Sequence, residues 1–229
     1  RTYLLGGGLA LAALLAAHGV RTSEDLSDLA ADEIAEFGIE GLDQERAAAL
    51  ILAARTNFAA YVSAVHRPRF QHSHFSLETC RAVDQFVEDV IAGKRPVLNL
   101  RAPPQHGKSS LTSRCLPGYL IGRLGPVLGL CRIALTSYAL TRAKANARDA
   151  KSIMLEPIHR EVFPHASMIG FKGVNTADEF HHPYGFVKAQ GAGGPLTGFS
   201  IDVAINDDLT KDAQEALSQT VQDGLEDWY

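Results

Sequence analysis

The residues best suited to chemistry lie between Val97 and Ser110, which spell Val-Leu-Asn-Leu-Arg-Ala-Pro-Pro-Gln-His-Gly-Lys-Ser-Ser. The apolar segment Val97 to Leu100 predicts a short buried strand, and the segment Leu111 to Leu120 predicts a helix. A tight turn that ends in Gly-Lys-Ser joins the two. A strand, a glycine-containing loop and a helix that opens with Lys-Ser are together typical of a phosphate-binding loop.

Each residue type in this loop has a chemical purpose. We expect the backbone N–H groups of the loop and the positive end of the helix to face an anion. Gly107 lets the backbone approach phosphate oxygens, Lys108 can reach the β- and γ-phosphates, and Ser109 can place its hydroxyl on Mg²⁺. The predicted phosphate-contacting residues are Gln105, His106, Gly107, Lys108, Ser109 and Ser110.

The loop matches the pattern Gly-x-x-x-x-Gly-Lys-Ser/Thr incompletely. Ala102 occupies the position of its first glycine. On this segment alone, a helix start after a proline-rich turn remains the alternative to a nucleotide site.

A second segment, Ile201 to Asp208, is an apolar strand that ends in two adjacent carboxylates. Downstream of a phosphate-binding loop in an α/β order, such a pair typically holds Mg²⁺ and activates water. We therefore expect Ser109 and Asp207 to bind the metal. Asp208 is expected to orient or deprotonate the attacking water, which makes Lys108 and Asp208 the predicted catalytic residues. The alternative is an Asx turn that caps the next helix.

The segment ahead of the loop, Arg67 to His74, interrupts a helix that spans Asn57 to His66. Its position suits contact with adenine, in which Phe70 stacks on the base and Gln71 hydrogen-bonds to it. A plain linker is the alternative. The neighbouring histidines have no further ligands at a familiar metal spacing.

The remaining pattern predicts alternating strands and helices, and hence a parallel sheet with crossover helices. The basic side chains of the helix from Ala139 to Met154 are either solvated or supply an arginine finger or a DNA contact. Residues 157–182 predict no regular element. The predicted elements are helices Glu78 to Ala92, Leu111 to Arg123 (ended by Gly125-Pro126) and Ala139 to Met154, with strands Arg132 to Ser137 and Gly185 to Gln190.

The composition is ordinary for a globular protein, with 46% hydrophobic and 21% charged residues among 229. The net charge of −4 is uneven, because residues 1–58 hold 4 Lys and Arg against 9 Asp and Glu. No basic run indicates nucleic acid binding, so any DNA contact depends on local patches. The three cysteines lack C-x-x-C spacing, which favours buried thiols in a reducing compartment: Cys80, Cys115 and Cys131.

The sequence pattern of residues 1–56 predicts a small, acidic, all-helical unit. The apolar run Leu9 to Ala17 is shorter than the roughly 20 residues that span a bilayer, so we expect a buried helix, with a signal-peptide core as the alternative. A short hairpin at residues 39–42 followed by an alanine-rich helix is typical of a helix-hairpin-helix. Its carboxylates would repel phosphate, which favours docking of a protein over DNA, and a spacer without a partner is the other alternative.

Two parts of the chain each resemble a known protein family. Leu11 to Arg55 resembles the acidic C-terminal repeats of the bacterial transcription factor NusA, through His18-Gly19-Val20, Thr22, Glu24-Asp25-Leu26, Ile39-Glu40-Gly41-Leu42 and Ala48 to Arg55. Residues 57–229 resemble the ATPase domain of phage or prophage terminase large subunits. The matching blocks are Pro103 to Ser109, Leu135 to Tyr138 with Arg142-Ala143 and Asn146 to Asp149, Gly191 to Gly198, Ile205 to Asp208 with Lys211, and Asp227 to Tyr229.

The terminase resemblance implies a P-loop NTPase of the additional-strand type that uses ATP and Mg²⁺. It implies a motor in the host cytoplasm that pushes double-stranded DNA into a procapsid, with a portal protein and a small terminase subunit as partners. The resemblance also implies that copies of the chain can form a homo-oligomeric ring, and it implies no membrane partner. In that family a C-terminal nuclease domain usually follows.

The chain departs from the family pattern at three places. Gln105 replaces a loop arginine that could stabilise transition-state charge, and Asn206 stands where an apolar residue is expected. The chain stops before the coupling motif, so we expect a C-terminally truncated ATPase domain, 57–229, behind a helical module, 1–56, with no nuclease residue. Two other functions stay open: another nucleic-acid-dependent P-loop ATPase such as a helicase, and a non-enzymatic adaptor linked to transcription.

Overall fold

The computed structural model describes residues 42–66, 70–102, 105–194, 199–211, 215 and 217–228. The Leu9 to Ala17 helix, the hairpin ahead of Leu42 and the two prolines of the loop lie outside these residues. The described elements are α1 (Leu42–Ala54), α2 (Phe58–Val65), α3 (His74–Ile91), a π-helical turn (Ser110–Cys115), α4 (Leu116–Leu128), β1 (Cys131–Ser137), α5 (Leu140–Leu155), α6 (Pro157–Val162), a 3-10 turn (Pro164–Ala166), β2 (Glu179–His182), β3 (Gly185–Gly191), β4 (Val203–Asp207) and α7 (Gln219–Trp228).

The four strands form one mixed sheet in the order β2-β3-β1-β4. The central strand β1 runs parallel to both neighbours, with Leu135 opposite Ala189 on one side and Ile205 on the other. β2 pairs antiparallel with β3. The prediction of an α/β fold with parallel strands and flanking helices is confirmed for β1, β3 and β4, and the sheet gains an antiparallel strand that the sequence does not predict.

One face of the sheet is buried beneath α4 and α5. Because side chains alternate along a strand, every second residue of β4 joins this face. Asp207 follows Val203 and Ile205 onto it and is buried, whereas Ala204 and Asn206 point to the opposite face and are exposed. The apolar side chains of the buried face belong to Ile133, Leu135, Val187, Ala189, Val203 and Ile205.

A partly buried carboxylate, that of Asp84, connects three helices. Both oxygens of Asp84 in α3 accept from the backbone N–H of Phe58 at the start of α2, at 2.9 and 3.2 Å. The hydroxyl of Tyr119 in α4 donates to Asp84 Oδ1 at 2.7 Å. Burial raises the pKa of Asp84, and these hydrogen bonds offset part of that effect.

The predicted end of α4 at Gly125-Pro126 is wrong, because the helix continues to Leu128 with Pro126 inside it. Proline lacks the N–H that would bond to the carbonyl of Gly122, one turn earlier. His165 supplies the missing donor, with its Nε2 2.9 Å from that carbonyl oxygen. The helix instead ends at Gly129, which has a φ of 75°.

The predicted strand from Val97 to Leu100 is also wrong. These residues are in no strand, and Val97 is 84% exposed. A strand needs a partner for its backbone groups, and none of the described strands pairs with this segment. Leu98 still packs against the core, which accounts for the apolar pattern.

Residues 157–182, for which the sequence predicts no regular element, form α6, the 3-10 turn and β2. α3 begins at His74, earlier than predicted, because Ser73 and Ser76 form a reciprocal capping box. The predicted burial of the three cysteines is confirmed, and all are free thiols. Among the described residues, no helix has the length and apolarity to cross a membrane.

Candidate functional site

The loop ahead of Lys108 turns through two residues in the left-handed backbone region. Gly107 has a φ of 78° and Gln105 a φ of 65°. A side chain at position 107 would also meet the Phe70 ring, since an added Cβ would lie 3.3 Å from Cζ of that ring. Gln105 is not a glycine, so its conformation costs about 1 kcal/mol. Strained backbone at a polar, exposed turn is typical of functional loops.

Phe70 and Gln71, the predicted adenine contacts, differ in their surroundings. The Phe70 ring is half-buried beside the loop backbone and lies between the rings of His66 and His72, with centroids 5.2 and 5.0 Å away. Gln71 is exposed. The structure places the Phe70 ring beside Gly107, and its contact with adenine stays a prediction.

The loop passes into a helix at Lys108. The N–H of Leu111 donates to the carbonyl of Gly107 at 3.1 Å, and the hydroxyl of Thr112 donates to the carbonyl of Lys108 at 3.0 Å. The turn then widens, because the N–H of Leu116 bonds to the carbonyl of Leu111, five residues back. Single π-turns inside helices are frequent at functional sites.

The two acidic residues at the end of β4 have opposite environments. Asp207 is the last strand residue and only 3% exposed, whereas the Asp208 side chain is 66% exposed. Asp208 has a φ of 48°, which breaks the strand alternation. Its carbonyl accepts from the N–H of Tyr138 at 2.9 Å, which fixes the chain as it leaves the sheet.

The loop and the acidic pair meet although 100 residues separate Lys108 from Asp208. Lys108 Nζ lies 2.6 Å from Asp208 Oδ1 and 3.5 Å from Asp207 Oδ1. The hydroxyl of Ser109 donates to Asp207 Oδ1 at 3.3 Å. Burial alone would lower the pKa of Lys108, but the hydrogen bond to Asp208 and the two negative charges outweigh it and raise that pKa.

Two further residues contact Asp207, and the sequence motifs mark neither of them as a site residue. The hydroxyl of Ser113 donates to Asp207 Oδ2 at 2.8 Å, and Asn146 Nδ2 lies 3.4 Å from the same oxygen. A signal existed for Asn146, which occupies the buried stripe of α5 that otherwise holds Ala143, Ala147, Ala150 and Met154. A polar residue in such a stripe needs a buried partner.

The other residues that the sequence singles out lie at several different places. His106 is exposed at the loop tip, and Ser110 opens the π-helical turn. On α5, Arg142 and Arg148 are exposed, while Lys151 contacts Asn175. His72 contacts Ser63 at 2.9 Å. Within the described ranges no three His, Cys, Asp or Glu side chains group as a metal site.

The side chains at the centre nevertheless fit Mg²⁺. Their oxygens belong to two carboxylates and a serine hydroxyl, the hard ligands that this ion prefers, and the ammonium group of Lys108 already lies against both carboxylates. Mg²⁺ in proteins is commonly held by one or two carboxylates, with water and substrate phosphates completing its shell. A set of Ser109 and Asp207 is consistent with that pattern.

Comparison of the chain with protein-family models, curated proteins and solved structures gave no significant match. The geometry of Lys108, Ser109, Asp207 and Asp208 is therefore the basis for assigning a function.

Proposed function

We propose that this chain binds ATP with Mg²⁺ and hydrolyses it at the centre formed by Lys108, Ser109, Asp207 and Asp208. The observation that carries the proposal is the meeting of a Gly-Lys-Ser turn with an acidic strand end, in which Lys108 Nζ is 2.6 Å from Asp208. Because 100 residues separate Lys108 from Asp208, a purely local role of the Gly-Lys-Ser segment, such as starting a helix, does not explain their contact.

Each residue has a role in this proposal. The Lys108 ammonium group exchanges its carboxylate partners for phosphate oxygens when the nucleotide binds. Ser109 and Asp207, whose side-chain oxygens lie 3.3 Å apart, would hold the metal, and Mg²⁺ would supply positive charge against the β- and γ-phosphates. Asp208, freed from Lys108 and exposed to solvent, accepts a hydrogen bond from the attacking water and orients it.

The wider role follows from the terminase resemblance. We propose that the ATPase drives double-stranded DNA into a procapsid, together with a portal protein and a small terminase subunit. The exposed arginines of α5, Arg142 and Arg148, lie on the helix that follows β1, and β1 pairs with the strand that carries Asp207. In this proposal the two exposed arginines contact phosphates of the DNA backbone.

The catalytic assignment is tested by phosphate release from Mg-ATP, with nucleotide binding measured in parallel. We expect Asp208→Asn to bind nucleotide and to lose phosphate release by about 100-fold or more, the usual contribution of a general base. Asp202→Asn is the matched control, because this carboxylate precedes the same strand and pairs with Arg132 at 2.8 Å. Wild-type rates in Asp208→Asn would remove Asp208 from the mechanism.

A further inference from the structure

The carboxylate of Asp207 presents its two oxygens to different groups. Oδ1 faces the loop, where Lys108 Nζ is 3.5 Å and Ser109 Oγ 3.3 Å away. Oδ2 faces the helices, where it receives Ser113 at 2.8 Å and Asn146 at 3.4 Å. One oxygen is thus held by the protein interior, and the other is directed at the proposed phosphate and metal position.

Ser113 is well placed for this contact. It lies four residues after Ser109 on the same side of the helix, so both hydroxyls point at one carboxylate. Ser113 is fully buried, and a buried hydroxyl without a partner is unfavourable. Ser113 lies within the π-helical turn Ser110–Cys115, so this widened turn carries the hydroxyl that contacts Asp207.

Asn146 approaches the same oxygen from α5. Its side chain is 1% exposed, and neighbouring buried positions on that helix are alanines. No solvent-facing function accounts for an amide at such a position, whereas the contact with Asp207 Oδ2 does. Two elements, the π-helical turn and α5, therefore converge on one carboxylate oxygen.

We propose that Ser113 and Asn146 are positioning residues that fix the rotation of the Asp207 carboxylate, so that Oδ1 is preorganised for Mg²⁺. The torsion that rotates a carboxylate is soft, so donors on one oxygen are needed to define where the other points. Groups that orient a metal ligand from behind commonly change metal affinity by 10- to 100-fold when removed. This inference rests on the proposed Mg-ATP function and adds the residues that set its metal dependence.

The test is the Mg²⁺ concentration that gives half-maximal binding of a fluorescent ATP analogue to the full chain. We expect Ser113→Ala and Asn146→Ala each to raise this concentration by about tenfold or more. In EDTA, both variants should bind the analogue as weakly as the wild type, because Lys108 and the loop backbone are intact. If the two residues had only a structural role, their removal would lower the affinity for the analogue equally in Mg²⁺ and in EDTA.

Ser152→Ala is the matched control, because this serine lies on the exposed side of α5 and its hydroxyl donates to the carbonyl of Arg148 at 3.0 Å. Far-ultraviolet circular dichroism verifies that each variant folds. Should Ser113→Ala fail to fold, Asn146→Ala decides alone, since alanine is the strongest helix former. A wild-type Mg²⁺ midpoint in the folded variants overturns the positioning role and leaves the ATP proposal standing. Absence of Mg²⁺-dependent binding in the wild type overturns both.

Discussion

Mild acid should destabilise this fold through two buried histidines. His159 is fully buried, and its Nδ1 is hydrogen-bonded to the hydroxyl of Tyr61 at 2.8 Å. His182 is 2% exposed, and its Nδ1 accepts from the N–H of Tyr184 at 3.0 Å. In the described part of the chain, Nε2 of each ring has no hydrogen-bond partner. The charged groups that act on the two rings are other histidines, which oppose protonation.

The size of the effect follows from the pKa values. Burial lowers the pKa of His159 to about 4 and that of His182 to about 3, and the nearby histidines add a smaller lowering. An unfolded histidine has a pKa of about 6.5, so the unfolded state binds more protons as the pH falls below that value. Stability is therefore present above pH 6.5 and is lost as the pH falls toward the folded pKa. Between pH 8 and pH 5 each histidine costs about 2 kcal/mol, or about 4 kcal/mol together.

Such a loss is a large part of the roughly 5–15 kcal/mol that stabilises a typical domain. The raised pKa of Asp84 acts in the opposite direction, because its folded state takes up a proton more readily than the unfolded one. That gain occurs as the pH approaches the ordinary carboxyl value of 3.8. It therefore offsets the histidine effect mainly at the acidic end of the range.

The assay is chemical denaturation of the full chain at several pH values from 8 to 5, followed by circular dichroism. The double variant His159→Asn/His182→Asn keeps an acceptor near each Nδ1 position and removes both titrations. We expect it to lose less than about 1 kcal/mol over this range, whatever its stability at pH 8. His74→Asn, at an exposed histidine, should retain the wild-type slope. Equal slopes in wild type and double variant would refute the reasoning.

Two substitutions test the packing around the sheet. Gly185→Ala should cost about 3 kcal/mol or more in thermal or chemical unfolding, because its φ is 143° and an added Cβ would lie 1.9 Å from the carbonyl oxygen of Cys131. Gly224→Ala, with no atom within 4 Å of the added Cβ, should instead be neutral or stabilising. Tyr119→Phe should cost about 1–3 kcal/mol, because it removes a donor from the partly buried Asp84 carboxylate; an unchanged denaturation midpoint would contradict this.

The strands that sequence patterns predict well are those with enough apolar residues to define a buried face. β1, β3 and β4 have them, whereas β2 is only Glu-Phe-His-His and has one apolar residue. Val97 to Leu100 shows the opposite error, because a local pattern does not reveal whether a partner strand lies alongside. The continuation of α4 through Pro126 depends on His165, a residue 43 positions from the carbonyl that it bonds.

The candidate site also contains some residues that the sequence predicts and others that it does not. That Lys108 and Ser109 lie with Asp207 and Asp208 follows from motif chemistry alone, because Val97 to Leu100, the predicted strand ahead of the loop, forms no strand. The contacts of Ser113 and Asn146 with Asp207 could not be predicted from motifs, because they depend on a widened helical turn and on how α5 packs near β4. For Asn146, a polar residue at a position of α5 that otherwise repeats alanine is the sequence signal closest to its role.

The most direct test of the central claim is equilibrium binding of a fluorescent ATP analogue to the folded chain, with and without Mg²⁺. We expect saturable, Mg²⁺-enhanced binding by the wild type and loss of most of it in Lys108→Ala. Lys94→Ala is the matched control, because Lys94 is exposed and pairs with Asp89 at 2.7 Å. Absence of binding by the folded wild type, or wild-type binding by Lys108→Ala, would contradict a nucleotide site at this loop.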